Sequence, residues 1–220
     1  MSARERVLGN IARALNRGEE NTPTSLADRP EQVSIRLSTR HRHTLPASGQ
    51  ELMQSLIDSM ESVLMSVVRL QSIDDCVSAV DWYLESEGID VSADGAVTVA
   101  PALESLSWPS HYASGAATGT EKVSVTPCLA AVAETGSIVT ASGSQTPATL
   151  NFLPETHISI LRESQVVKHI DDVFPLLRDM DLLPRAVNFV TGPSRTADIE
   201  QTLEIGAHGP RRMHVLLLPD

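Results

Sequence analysis

From Gln50 onward, short apolar runs alternate with amphipathic stretches, and this alternation restricts the possible folds more than any other feature of the chain. Gln50 to Glu61 places Leu52, Met53, Leu56, Ile57 and Met60 on one helical side. Val63 to Val68 follows as a nearly continuous apolar run, as in a strand covered on both faces. Ile73 to Glu87 reads as a helix, with Asp74 and Asp75 at its positive end and Gly88 at its stop. Further strand-like runs are Ala96–Ala100, Val123–Thr126, His157–Leu161, Ala186–Val190 and Met213–Leu218, with helices expected over Asp171–Met180 and Thr196–Leu203. Parallel neighbours need a crossover connection, usually a helix, and the intervening stretches supply it.

One interval breaks the pattern. Leu129–Ala133 and Ser137–Thr140 are both strand-like, yet only Glu134, Thr135 and Gly136 lie between them. That is a tight turn, so an antiparallel excursion is expected inside an otherwise parallel sheet. The fold class predicted is α/β with a mixed, mostly parallel sheet.

The chain divides into residues 1–46, an N-terminal helix and extended arm, and residues 47–220, the folded body. Val7, Ile11, Ala14 and Leu15 recur at helical spacing, and Gly18 stops that helix. Glu19 to Pro46 is polar and punctuated by Pro23 and Pro30. Residues 1–50 hold eight Arg against five acids, whereas 51–110 hold Arg69 against eleven. The arm is therefore either a solvated tether or an association segment, with a homo-oligomer as one outcome.

Charge and composition exclude several classes. At 220 residues one large domain is expected, and a net charge of −11 argues against duplex nucleic acid as a partner. Seven aromatic residues leave little for base stacking. Two cysteines, Cys76 and Cys128, cannot supply an iron–sulfur cluster or a structural zinc, so no cofactor is expected in this chain. No apolar run approaches the ~18 residues of a membrane span, and the charged N-terminus has no signal-peptide core. The cytoplasm is the expected location.

Three segments carry candidate site residues. In Ala133-Glu-Thr-Gly-Ser137, Glu134 is a candidate nucleophile or general base, and Thr135, Gly136 and Ser137 a candidate ligand-binding turn. The other reading is plain hairpin chemistry with a solvated Glu134. In Leu153-Pro-Glu-Thr-His157, Glu155 and His157 could do acid–base work or simply satisfy a loop. In Gly192-Pro-Ser-Arg-Thr-Ala-Asp-Ile-Glu200, Gly192, Ser194, Arg195 and Thr196 would cradle a small carboxylate or phosphate at a helix N-terminus. Asp198 and Glu200 could instead complete that helix dipole without a ligand. Gly206-Ala-His-Gly-Pro-Arg211 adds His208, a candidate acid–base group, and Arg211, a candidate anion contact.

Together, Ala133–Ser137, Leu153–His157, Gly192–Glu200 and Gly206–Arg211 resemble, in order and spacing, the LUD-domain family of the lactate utilization protein C type. The resemblance covers the last hundred or so residues, and the leader resembles the short N-terminal extension of these proteins. It implies a Rossmann-like fold similar to the NagB/RpiA/CoA-transferase group. It also implies iron–sulfur partner proteins in cytoplasmic oxidation of L-lactate to pyruvate. Two readings follow: an accessory subunit without its own cluster, or a stand-alone CoA-transferase-like or anion-binding enzyme using a Glu134/Ser194/His208 cleft.

Overall fold

The computed structural model describes residues 49–180, 183–197, 203–206 and 208–220, which belong to one compact unit, 44–220. The helix and arm expected over residues 1–46, and any association through them, lie outside the described residues.

The chain opens on α1 (Gln50–Ser62), β1 (Ser66–Arg69), α2 (Cys76–Ser86), β2 (Val97–Val99), β3 (Ala113–Ser114) and β4 (Val123–Pro127). It continues through β5 (Ala130–Val132), β6 (Ser137–Ala141), β7 (Thr156–Arg162), β8 (Val166–Val167) and α3 (Val173–Arg178). The last strands are β9 (Val187–Val190), β10 (Arg195–Ala197), β11 (Leu203–Ile205) and β12 (Arg212–Leu218). Six strands form an all-parallel sheet in the order β1-β12-β7-β4-β2-β3. A second sheet runs β8-β5-β6-β9, with β6 antiparallel to both β5 and β9. The mixed, mostly parallel Rossmann-like α/β fold is thus present, and the antiparallel excursion falls at Glu134–Gly136.

Alternation along each strand sorts the core. Val123, Val125, Ile158, Ile160, Leu216 and Leu218 meet Cys76, Val80, Tyr83 and Leu84 of α2 on one face of the large sheet. Leu161, Met213, Val215 and Leu217 meet Leu52, Met53, Leu56 and Met60 of α1, joined by Ala131 and Ile138 of the small sheet. Helix α1 therefore packs against both sheets. Helix α3 covers the other face of the small sheet through Val173 and Leu177. A capping box starts the turn before α2: the Asp75 carboxylate accepts from the Ser72 amide, and Ser72 Oγ from the Asp74 amide.

Local expectations were corrected in three places. The run Val63–Val68 is a strand only from Ser66; Val63 to Met65 close α1 instead. The Met65 amide donates to the Met60 carbonyl and the Leu64 amide to that of Glu61, which is a Schellman turn with Leu64 at φ 65°. The helix expected over Asp171–Met180 shortens to Val173–Arg178 behind a 3-10 turn. The helix expected over Thr196–Leu203 is replaced at both ends by strands, since Arg195–Ala197 pair antiparallel with Leu203–Ile205. Among the described residues, no helix is long and apolar enough to cross a membrane.

Candidate functional site

Because β5 and β9 both run opposite to β6, the turns that follow them leave the small sheet at the same edge. Three hydroxyls tie these turns together. Thr135 Oγ1 lies 2.6 Å from Ser137 Oγ, which lies 2.7 Å from Thr191 Oγ1. Both turns also press on the end of α1. A Cβ on Gly136 would stand 2.6 Å from the Met60 nitrogen and the Ser59 carbonyl carbon, and one on Gly192 would stand 2.3 Å from the Val63 oxygen. The two glycines have φ of 65° and 88°, which other residues rarely adopt. Thr135, Gly136, Ser137 and Gly192 therefore clasp a helix end.

Glu134 sits at that edge, where its contacts run to the Lys168–His169 segment. Its Oε2 lies 3.2 Å from His169 Nδ1, and its amide donates to the Lys168 carbonyl. The His169 amide in turn donates to the Asp172 carboxylate. This carboxylate–imidazole pair could move a proton, and sequence reasoning had no signal for it because 35 residues separate the partners.

Ser194 and His208 do come together. With Gly192, Gly209, Pro210, Phe152 and the β9 strand they line a cleft of about 460 Å³, which Glu134 does not line. The Ser194 amide donates to the Pro210 carbonyl, and its own carbonyl accepts from the Gly206 amide. This knitting is why the chain after Gly192-Pro193 continues extended. It also removes the helix N-terminus on which the expected anion cradle depended. Thr196 lies in β10, and its side chain is outside the described residues.

Arg195 and Arg211 enter a different cleft, of about 210 Å³, with Leu64, Ser66, Tyr83, Glu87, Pro193, Arg212 and Met213. The Arg195 guanidinium donates to the Val63 carbonyl at 3.2 Å, placing a cation on the last turn of α1, where the helix dipole is negative. The Arg211 and Arg212 amides both donate to the Glu155 carbonyl. Ser66 Oγ lies 2.8 Å from Nδ1 of His214, whose ring stacks on Tyr83 at 4.0 Å.

Glu155 and His157 do not act as a pair: Glu155 is exposed, whereas His157 is fully buried. Nε2 of His157 lies 2.8 Å from Thr126 Oγ1, and burial pulls its pKa down to about 4. It belongs to a buried polar row on the central strands, with Ser124 donating to the Leu150 carbonyl and Ser159 Oγ unpartnered among the described residues. The signal for that row was present in Val123-Ser-Val-Thr126 and His157-Ile-Ser159, where polar residues recur at every second position.

A DUF162 family protein from Deinococcus radiodurans, known from a crystal structure, superposes with a TM-score of 0.50 at 19% identity, covering 79% of this chain and 99% of that one. The LUD domain family model matches residues 116–218 of this chain. Lactate utilization protein C of Geobacillus sp. (strain WCH70) is 36% identical over 93 residues, and that of Bacillus subtilis (strain 168) is 32% identical over 93. Each alignment covers 40% of this chain and 39% of the relative's length.

Proposed function

We propose that this protein serves lactate utilization, as a cytoplasmic subunit of an iron–sulfur-containing L-lactate oxidation system that itself carries no cluster. The observation that carries the reading is the LUD domain match, shared with relatives named lactate utilization protein C. The thiols are consistent with electron carriage by partner proteins. Cys76 and Cys128 are buried in separate clusters, and burial pushes them up to about 11 and about 12. Such thiols stay protonated, whereas metal ligation needs thiolates.

The alternative, a stand-alone CoA-transferase-like enzyme using Glu134, Ser194 and His208, has less support. Glu134 faces His169, while Ser194 and His208 share a cleft it does not line. Deleting the gene and supplying L-lactate as sole carbon source tests the proposal. Growth should fail, and should return with a Cys76→Ala, Cys128→Ala double variant. Normal growth of the deletion strain would overturn the lactate reading; turnover by the isolated chain would overturn the subunit reading.

A further inference from the structure

We infer that the cleft formed by Ser66, Tyr83, Arg195, Arg211 and Arg212 binds a small oxyanion, a short-chain carboxylate or a phosphate. The inference rests on charge and hydrogen bonding at this cleft and not on the lactate reading.

Charge comes first. Three arginines from two separate segments converge on about 210 Å³ of space, in a chain of net charge −11. Among the described residues Glu87 is the one acidic residue lining it, and its Oε2 stands 3.7 Å from Arg212 Nε, beyond hydrogen-bond length. One carboxylate offsets at most one of the three cations. Arg195 commits an N–H to the Val63 carbonyl, but a guanidinium carries five. Arg211 has no side-chain partner among the described residues. Like charges held this close repel, and an oxyanion accepting from two guanidinium groups relieves that repulsion through charge-assisted bonds.

Ser66 supplies a neutral donor. Its partner His214 is only 4% exposed, and Nε2 of that ring has no partner among the described residues. A buried N–H without an acceptor is rarer and costlier than an unmatched acceptor, so the single ring proton belongs on Nδ1. Nδ1–H then donates to Ser66 Oγ at 2.8 Å. The hydroxyl proton is directed at the Tyr83 oxygen or at an oxyanion that takes its place; the Met213 carbonyl, at 3.5 Å, holds it weakly. Burial lowers the His214 pKa to about 4, so the ring is neutral at pH 7 and carries one proton. Tyr83, stacked on the ring with planes 11° apart, fixes its orientation.

Size and lining narrow the ligand. The cleft is smaller than the ~300–1,000 Å³ typical of drug-sized ligands, which excludes a nucleotide. Leu64, Pro193 and Met213 give it an apolar side, which suits a short-chain carboxylate above inorganic phosphate. The cleft opens at the amino ends of β1 and β12, whereas α/β sheets usually hold ligands beyond the carboxyl ends. Arginine charge, not sheet topology, recruits the ligand here.

The test titrates the purified full-length protein at pH 7 with pyruvate, L-lactate, sodium phosphate and sodium chloride, by calorimetry and thermal unfolding. Saturable binding of pyruvate or L-lactate, absent with chloride at equal ionic strength, is expected. Saturation by phosphate alone supports the site and assigns it to a phosphate. Arg211→Ala should weaken binding about tenfold, Arg211→Lys should recover part of it, and Ser66→Ala should weaken it about threefold. Without any variant, bound pyruvate or phosphate should protect Arg195, Arg211 and Arg212 from phenylglyoxal, read by mass spectrometry. Equal stabilisation by chloride, unchanged affinity in a folded Arg211→Ala protein, or no protection of the three arginines overturns the inference.

Discussion

Ser137 Oγ stands 2.7 Å from Thr191 Oγ1, so the turn after β5 and the turn after β9 are joined by a single hydroxyl contact across 54 residues. Around that contact the glycines of both turns rest on the last turn of α1. Two of the segments that looked like ligand loops are therefore also the seat of a helix, and Arg195, at the far side of the second, lines a separate cleft with Arg211.

Gly136→Ala and Gly192→Ala should each destabilise the protein by about 3 kcal/mol, combining a backbone clash with a left-handed φ. Gly88→Ala has a φ of 64° but nothing within 4 Å, so it isolates the conformational cost at about 1 kcal/mol. Urea unfolding of the three variants checks the order. Equal losses at all three positions would refute the clasp.

Leu64→Gly should stabilise the protein by up to about 1 kcal/mol. Leu64 holds the left-handed position of the Schellman turn and is 59% exposed, so glycine relieves strain and forfeits little burial. A rise of a few degrees in Tm is the expected readout, from about 2–4 °C per kcal/mol at this size.

Stability should fall as pH drops from about 6.5 towards 4. His157 and His214 are buried neutral, and burial lowers both from the ordinary 6.5 to about 4. In that window the unfolded chain binds more protons than the folded one, so unfolding takes up about two protons and acid favours it. Each histidine adds a slope of up to about 1.4 kcal/mol per pH unit. His157→Gln should reduce the slope of unfolding free energy against pH, whatever it does to absolute stability; an unchanged slope would contradict the assignment.

Glu134→Gln should leave the protein folded, with a loss below about 1 kcal/mol, because its contact with His169 is partly exposed. Growth on L-lactate should persist in a strain carrying this variant alone. Loss of growth with folded protein present would make Glu134 a catalytic group after all.

Much of the architecture was legible in local order. The alternation after Gln50 announced the parallel sheet, and three residues between two apolar runs announced the β5–β6 hairpin. Thr196–Leu203 misled because Ser, Thr, Asp and Glu after Gly-Pro are also helix-start residues. Pairing with Leu203–Ile205 prevailed over that local preference. The helix expected over Asp171–Met180 stands in the right place but spans only Val173–Arg178.

What the amino-acid order determined by itself is what a few neighbouring residues can decide: strand periodicity, turn positions and a mostly aliphatic core. Tertiary structure decided which of those residues meet. Ser66 and His214 are 148 positions apart and touch because β1 lies beside β12. Arg195 reaches the end of α1 because Gly192 lets its turn approach the Val63 carbonyl. Glu134 met His169 and not an arginine because the parallel pairing of β5 with β8 leads the chain to that edge. Periodicity is a property of one segment, whereas convergence depends on which strands pair and in what register, and no single segment encodes that.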